Sequence, residues 1–416
     1  MNNQPKRSLY RYYAIILIII LALNFIVMPL FNSSRMESTT YSDFLDSIEE
    51  KDVENVQIEE RGDVVEMEVC PQGKIIVHEE DREVILSANT RHAGAGFHAF
   101  CVDIFMDIQQ ELTGEFELVD DLEFDQDGNF HRLHHLYEDE LEYLRGNLVK
   151  REPVFYKNYL YDETFFLPME KEDAIATPIG YIDTKEFLHM DPHDLMDLFY
   201  IWNEWDLDAS YYKNAALTLL AKEGYGPYAL MNDHTHKMAN MICDYIELAY
   251  QQDSSISLPV KEYRFYTQLL QREDQLKDPV VMEQEVYQYR LMEVYHLFEN
   301  VKVVALGACE RSYDPVTQSL CLMSPRKEEH EWDYLLQASK QPLICVQIDK
   351  LEENNPVSYR NKAVWMHAYK EDGIYFLEAK IASMEEELFF HCTVKNEKHI
   401  PYLKQCIKES EFAILD

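Results

Sequence analysis

Residues 74–112, KIIVHEEDREVILSANTRHAGAGFHAFCVDIFMDIQQEL, carry the reading that decides the fold. KIIVHEE and REVILSANT alternate apolar and polar side chains as half-buried strands do, with Glu80-Asp81 in the turn between them. MEVCP upstream extends the same meander, turning at Gly73. Beyond Gly94-Ala95-Gly96 the period changes: FHAFCVDIFMDIQQEL is apolar on nearly every side, which predicts a buried helix ended by Thr113-Gly114 ahead of a strand, EFELVDD. Strands in a meander followed by a helix make the chain α+β, here an N-terminal transmembrane helix followed by two or more mixed α/β domains.

The same stretch contains a competing signal. GAGFHA between a strand and a helix fits Gly-x-Gly-x-x-Gly/Ala, which makes Gly94 and Gly96 candidate cofactor-binding residues, with Asp120 or Asp121 placed as a ribose ligand at the end of the next strand. Three features count against it. The polar SANTRHA separates the strand from the glycines, REVILSANT lacks the unbroken apolar character of a central parallel strand, and no apolar strand follows FHRLHHLYEDELEYLRGNL to complete a βαβαβ half. Close packing at a helix start is the favoured reading, and no cofactor is expected.

Toward the N-terminus, residues 12–31, YYAIILIIILALNFIVMPLF, carry no charge over a length that can cross a hydrocarbon core. Lys6, Arg7 and Arg11 precede this span, so the basic tail of residues 1–11 is expected in the cytoplasm and the rest of the chain outside, in a single-pass cell-membrane protein. No small-x-small cleavage site follows at Met28-Pro29-Leu30-Phe31-Asn32, which favours an uncleaved anchor.

After the span, Tyr41-Ser42-Asp43-Phe44-Leu45, Ile48, and Val53, Val56 and Ile58 in KDVENVQIE suggest a short capped helix and a strand. These residues, with the Phe31-Asn32-Ser33 exit, resemble the opening of the external domain of the FtsH family of membrane-anchored AAA zinc metalloproteases. The resemblance covers about the first 60 residues and implies location and association with an FtsH-type protease complex. It does not imply protease activity. Gly73-Lys74 runs into Ile75-Ile76 with no hydroxyl for Mg²⁺, and His78-Glu79-Glu80-Asp81-Arg82 has Arg82 where a second zinc-binding imidazole belongs.

Composition shifts near Met67. Every Cys and His lies beyond residue 66, along with 32 of the 38 Lys/Arg and 65 of the 76 Asp/Glu. Such an acidic larger part excludes nucleic acid and anionic lipid surfaces as partners through like-charge repulsion. The eight Cys are widely spaced and set in apolar runs, which predicts free buried thiols, at odds with an external location.

Other clusters carry weaker chemistry. His131 and His135 stand one helical turn apart with Glu138 or Asp139 beyond, a candidate metal pair that a solvated helix face explains as well. Glu123, Asp125, Asp127 and Gly128 imitate a calcium loop, but His134 stands where a closing Glu is needed, so a polar turn is expected. His189 and His193 are separated by Asp191-Pro192, a helix start, and Asp233 is read as capping the helix that carries His234 and His236, so both clusters read as structural.

The expected organisation is residues 1–11 tail, 12–31 span, 34–66 partial FtsH-like domain, 67–255 acidic α+β domain, 256–299 helical linker region and 300–416 C-terminal α+β domain. In the last, VKVVALGAC, QSLCLMSP and QPLICVQI read as strands, with Ser312-Tyr313-Asp314-Pro315 as a turn. GIYFLEAKIAS and ELFFHCTVK then form a hairpin ahead of a closing helix, HIPYLKQCIKESEF, an ending similar to PsbP/Mog1-type sandwich domains. The function expected is that of a membrane-anchored, non-catalytic interaction or regulatory protein. Two alternatives stand beside it: a nucleotide- or metal-dependent enzyme using Gly94/Gly96 or His131/His135, and a reading frame that joins an FtsH start to an unrelated acidic protein separable at Met67.

Overall fold

The computed structural model describes residues 57–61, 64–80, 83–111, 117–148, 174–284, 286–326, 332–342, 357–359, 362–382 and 386–412. The span at 12–31, the FtsH-like helix near Phe44 and QPLICVQI beyond Pro342 lie outside them. Among the described residues no helix is long and apolar enough to cross a membrane.

The chain is α+β. Strands β1 (Gln57–Arg61), β2 (Val64–Cys70), β3 (Gly73–Glu80) and β4 (Glu83–Ala88) form an antiparallel meander in that order. The helix expected next is α1 (Ala95–Glu111). Period-two burial turns Val65, Met67, Ile75 and Val77 inward, where they join Phe97, Cys101 and Ile104 of α1 in one core.

This register corrects the predicted boundary at 66. Glu66 and Met67 are successive residues inside β2, paired with Glu59 and Ile58 of β1 on one side and with Ile76 and Ile75 of β3 on the other. A shift in cysteine and histidine usage does not mark where backbone pairing ends.

A short α2 (Phe124–Asp127) and a long α3 (Phe130–Leu148) follow. Among the described residues of EFELVDD no strand forms: residues 117–120 are irregular, and the Asp120 carboxylate accepts the Leu122, Phe124 and Asp125 amides, bending the chain into a turn. The calcium-like stretch is the single helical turn α2, closed at Gly128, where a polar turn was expected; beside it the Arg132 guanidinium pairs with Asp127 and donates to the Leu122 and Glu123 carbonyls.

The hairpin β5 (Ala174–Thr177) and β6 (Gly180–Asp183) leads into α4 (Thr184–His189), α5 (Pro192–Phe199), α6 (Ala209–Glu223) and α7 (Asp233–Gln252). Asp191 caps α5 as expected. The cap of α7 is Asn232, one residue before the predicted Asp233, in a reciprocal pair with Thr235. The linker expected at 256–299 is instead part of the body: two-residue strands β7 (Ser257–Leu258) and β8 (Val280–Val281) flank α8 (Val260–Leu269), whose Tyr263 and Tyr266 pack in the same core as α6 and α7. Arg272, donating to Asp244 and Glu247 of α7, binds the segment that looked like a charged linker.

The second core begins with β9 (Glu293–Phe298) and β10 (Val301–Leu306), which pair with each other, so the expected boundary at 300 falls within a hairpin. Then come β11 (Glu310–Asp314), β12 (Ser319–Met323), β13 (Tyr334–Pro342), β14 (Val357–Tyr359), β15 (Lys362–Glu371), β16 (Ile374–Ala382), β17 (Glu386–Val394), α9 (Ile400–Glu409) and β18 (Glu411–Phe412). They build a seven-stranded sheet of order β11-β12-β13-β17-β16-β15-β14 and a three-stranded sheet β18-β10-β9. Ser312, Tyr313 and Asp314 are strand residues of β11, not the turn expected there; the chain reverses at 315–318. The β16–β17 hairpin and closing helix are as predicted, with Leu403 and Ile407 of α9 packed among Leu320, Leu336 and Phe390.

Arg290 links the two parts. Its guanidinium pairs with Glu223 at 3.2 Å, donates to the Lys222 and Gly307 carbonyls, and lies 4.9 Å from the Tyr225 ring centroid.

His296 of β9 is buried, with Nε2 3.2 Å from the Leu306 carbonyl. Burial pushes its pKa from 6.5 down to about 4, against the Leu306 carbonyl and with help from Arg311 and Arg290. The folded protein therefore holds the ring neutral while the unfolded chain protonates it. Its contribution is intact above pH 6.5 and is lost as pH falls toward 4, by up to about 3 kcal/mol. Melting His296→Gln beside the parent at pH 7 and pH 4 should show a smaller acid loss in the variant; equal losses would contradict this.

Candidate functional site

The Gly94/Gly96 turn is filled by the protein itself. Gly96 donates its amide to the Trp202 carbonyl at 2.9 Å, the Ile201 and Trp202 amides both bond the Ala93 carbonyl, and a Cβ on Gly96 would run into the Glu204 carbonyl and the Trp202 ring. Gly94 has φ +114° and lies against the same segment. No space is left for a pyrophosphate, and the strand before the turn is antiparallel. Asp120 is committed as well, since besides its three amides it lies 3.1 Å from His98 Nε2. Burial opposes its charge, but the amides and His98 outweigh it and hold its carboxyl below the usual range. His98 Nδ1 is in turn 2.8 Å from Thr90 Oγ1. This buried chain ties α1 to the turn, so Gly94, Gly96 and Asp120 are engaged in packing and hydrogen bonds within the protein, in line with the reading favoured from the sequence over dinucleotide binding.

The other predicted pair lies beside a true convergence of side chains. On α3, Leu133, Tyr137, Leu141 and Leu144 form the buried stripe, which sets His134 and Glu138 at its edge and leaves His131 and His135 further round toward solvent. On α5, Leu195, Met196 and Phe199 point inward, and the Asp191-Pro192 start brings exposed His193 against α3. His193 Nδ1 lies 3.1 Å and His134 Nδ1 3.5 Å from Glu138 Oε1, while His135 Nδ1 is 2.6 Å from Oε2. One ligand atom from each of His134, Glu138 and His193 falls within 4.8 Å of the others. The His131 ring lies tilted against that of His135, centroids 4.4 Å apart, and stands outside this cluster.

Electrostatics follow the geometry. Burial works against the Glu138 charge, but hydrogen bonds from His135 and His193 and the nearby imidazoles prevail and hold the carboxyl below its usual range. Its hydrogen bond raises the pKa of His193, whereas burial lowers that of His134. Next to the imidazoles is a cavity of about 130 Å³, walled also by Asp197, Asn203, Glu204 and Asp208. Asn203 gives Nδ2 to Asp197, while its Oδ1 is buried without a partner among the described residues.

The sequence reading of His193 as a structural residue at a helix start does not reveal its contact with Glu138, because the two are 55 residues apart. The i, i+4 spacing of His134 and Glu138 is the one local signal, and His131/His135 share that spacing. Among the described residues every cysteine is free, and all but the half-buried Cys321 are buried, as expected.

Residues 9–92 match the family model described as FtsH Extracellular. The resemblance read from the first 60 residues thus extends through the apolar stretch and the whole β1–β4 meander. It covers a minor part of the 416-residue chain. The matched range takes in Met67 and the β2 strand that contains it. No curated protein matches the chain.

Proposed function

We propose that this chain is a membrane-anchored interaction or regulatory protein, held by residues 12–31 with its N-terminus in the cytoplasm, whose FtsH-like part associates with an FtsH-type protease complex. The observation that carries the reading is the match over residues 9–92, which takes in both the uncharged apolar stretch and the meander beyond it. Two further features support it. Lys6, Arg7 and Arg11 bias the orientation, and the meander shares its core with α1, α6 and α7, so an event at the FtsH-like part would reach the acidic body through packed side chains.

Catalysis of the FtsH kind is not part of the reading, because the chain has neither a Gly-Lys-Ser/Thr loop nor a His-Glu-x-x-His helix. The test is a reporter fused to the C-terminus, combined with affinity purification of the full chain from detergent-solubilised membranes. An external reporter and co-purification of an FtsH hexamer are expected. A cytoplasmic reporter, or a chain that leaves the membrane on carbonate extraction, would refute the anchor; recovery without the hexamer would refute the partner.

A further inference from the structure

We propose that His134, Glu138 and His193 form a binding site for a single divalent transition-metal ion of the zinc class, with its open coordination position facing the adjoining cavity. Two imidazoles and one carboxylate are a donor set that suits zinc and its neighbours, whereas calcium and magnesium prefer oxygen alone. The spacing fits. Zinc bound at 2.0–2.1 Å in a tetrahedron sets its ligand atoms about 3.3 Å apart, and Glu138 Oε1 lies 3.1 Å from His193 Nδ1 and 3.5 Å from His134 Nδ1. Small side-chain rotations close the remaining gap within the 4.8 Å cluster.

The surroundings are those of a metal site rather than of a surface ion pair. His135 holds the other carboxylate oxygen of Glu138 at 2.6 Å, which fixes the orientation of that ligand as an outer hydrogen bond does for a bound ion. In the cavity wall, Asn203 Oδ1 is a buried acceptor without a partner among the described residues, suited to a water on the open position. Asp197, Glu204 and Asp208 add the negative field that draws a cation in. Since His134 and Glu138 lie on α3 and His193 on α5, the ion would cross-link two packed helices, and His135 is a positioning residue.

The experiment titrates Zn²⁺ into the full-length protein in detergent against a chromogenic chelator, with a Co²⁺ spectrum and a thermal melt as second readouts. One equivalent should bind, tetrahedral Co²⁺ absorption should appear, and the melting temperature should rise. Changing His134→Ala or His193→Ala should abolish this binding, His135→Ala should weaken it about 10-fold, and His131→Ala should leave it unchanged. Exposed His193 can be replaced without disturbing the core, so a folding failure does not obscure the result. Binding that survives His193→Ala, or that is lost with His131→Ala, would overturn the assignment, as would the absence of a stoichiometric site.

Discussion

Removing residues 1–66 is expected to lower the thermal midpoint of the remaining chain by on the order of 10 °C, or to abolish its cooperative transition, whereas removing residues 1–56 should leave melting nearly unchanged. The shorter truncation spares the meander. The longer one deletes β1, with its five paired positions on β2, and cuts β2 itself between Glu66 and Met67. Val65, 3% exposed, leaves the core and takes about 2 kcal/mol of burial with it. Its neighbours there, Met67 and Val77 from the sheet and Phe97 from α1, are left facing water or a void. Superimposable melting curves for the two truncations would refute the shared core and restore the boundary at Met67.

Gly96→Ala is expected to cost about 3 kcal/mol or more, because the new methyl meets a backbone carbonyl and an indole ring that cannot both retreat. Gly146→Ala provides the control, since a Cβ there meets nothing within 4 Å. Chemical denaturation of the two variants gives the comparison. A loss confined to Gly96, in a protein that shows no dinucleotide binding by fluorescence titration, is the expected outcome. A stable Gly96→Ala protein, or one whose only defect is lost nucleotide binding, would return the turn to the cofactor reading.

Much of the fold was legible because its signals are local. Alternation at MEVCP and KIIVHEE, the continuous apolar run after Gly96 and the Asp191-Pro192 start each act within a turn or two of chain, and the structure has β2, β3, α1 and α5 at those places. EFELVDD failed for an equally local reason. Its alternation was genuine, but Asp120 satisfies three amides at once and a turn competes with the strand. The predicted boundaries failed on a different ground. Charge and cysteine usage describe what faces water or the core, and continuity of a sheet depends on register, which composition does not encode.

The candidate site divides along the same line. Residue types and spacing determined by themselves that α3 carries histidines and carboxylates one turn apart, that no FtsH-type catalytic motif is present, and that the N-terminal part resembles the FtsH external region. Only the tertiary structure decided which of those histidines meet a partner. The buried stripe of Leu133, Tyr137, Leu141 and Leu144 fixes the rotation of α3, and its packing on α5 sets His193 beside Glu138 instead of beside His131. A helix repeats its faces every 3.6 residues whatever lies opposite, so the choice between His131/His135 and His134/Glu138 rests on a contact 55 residues away.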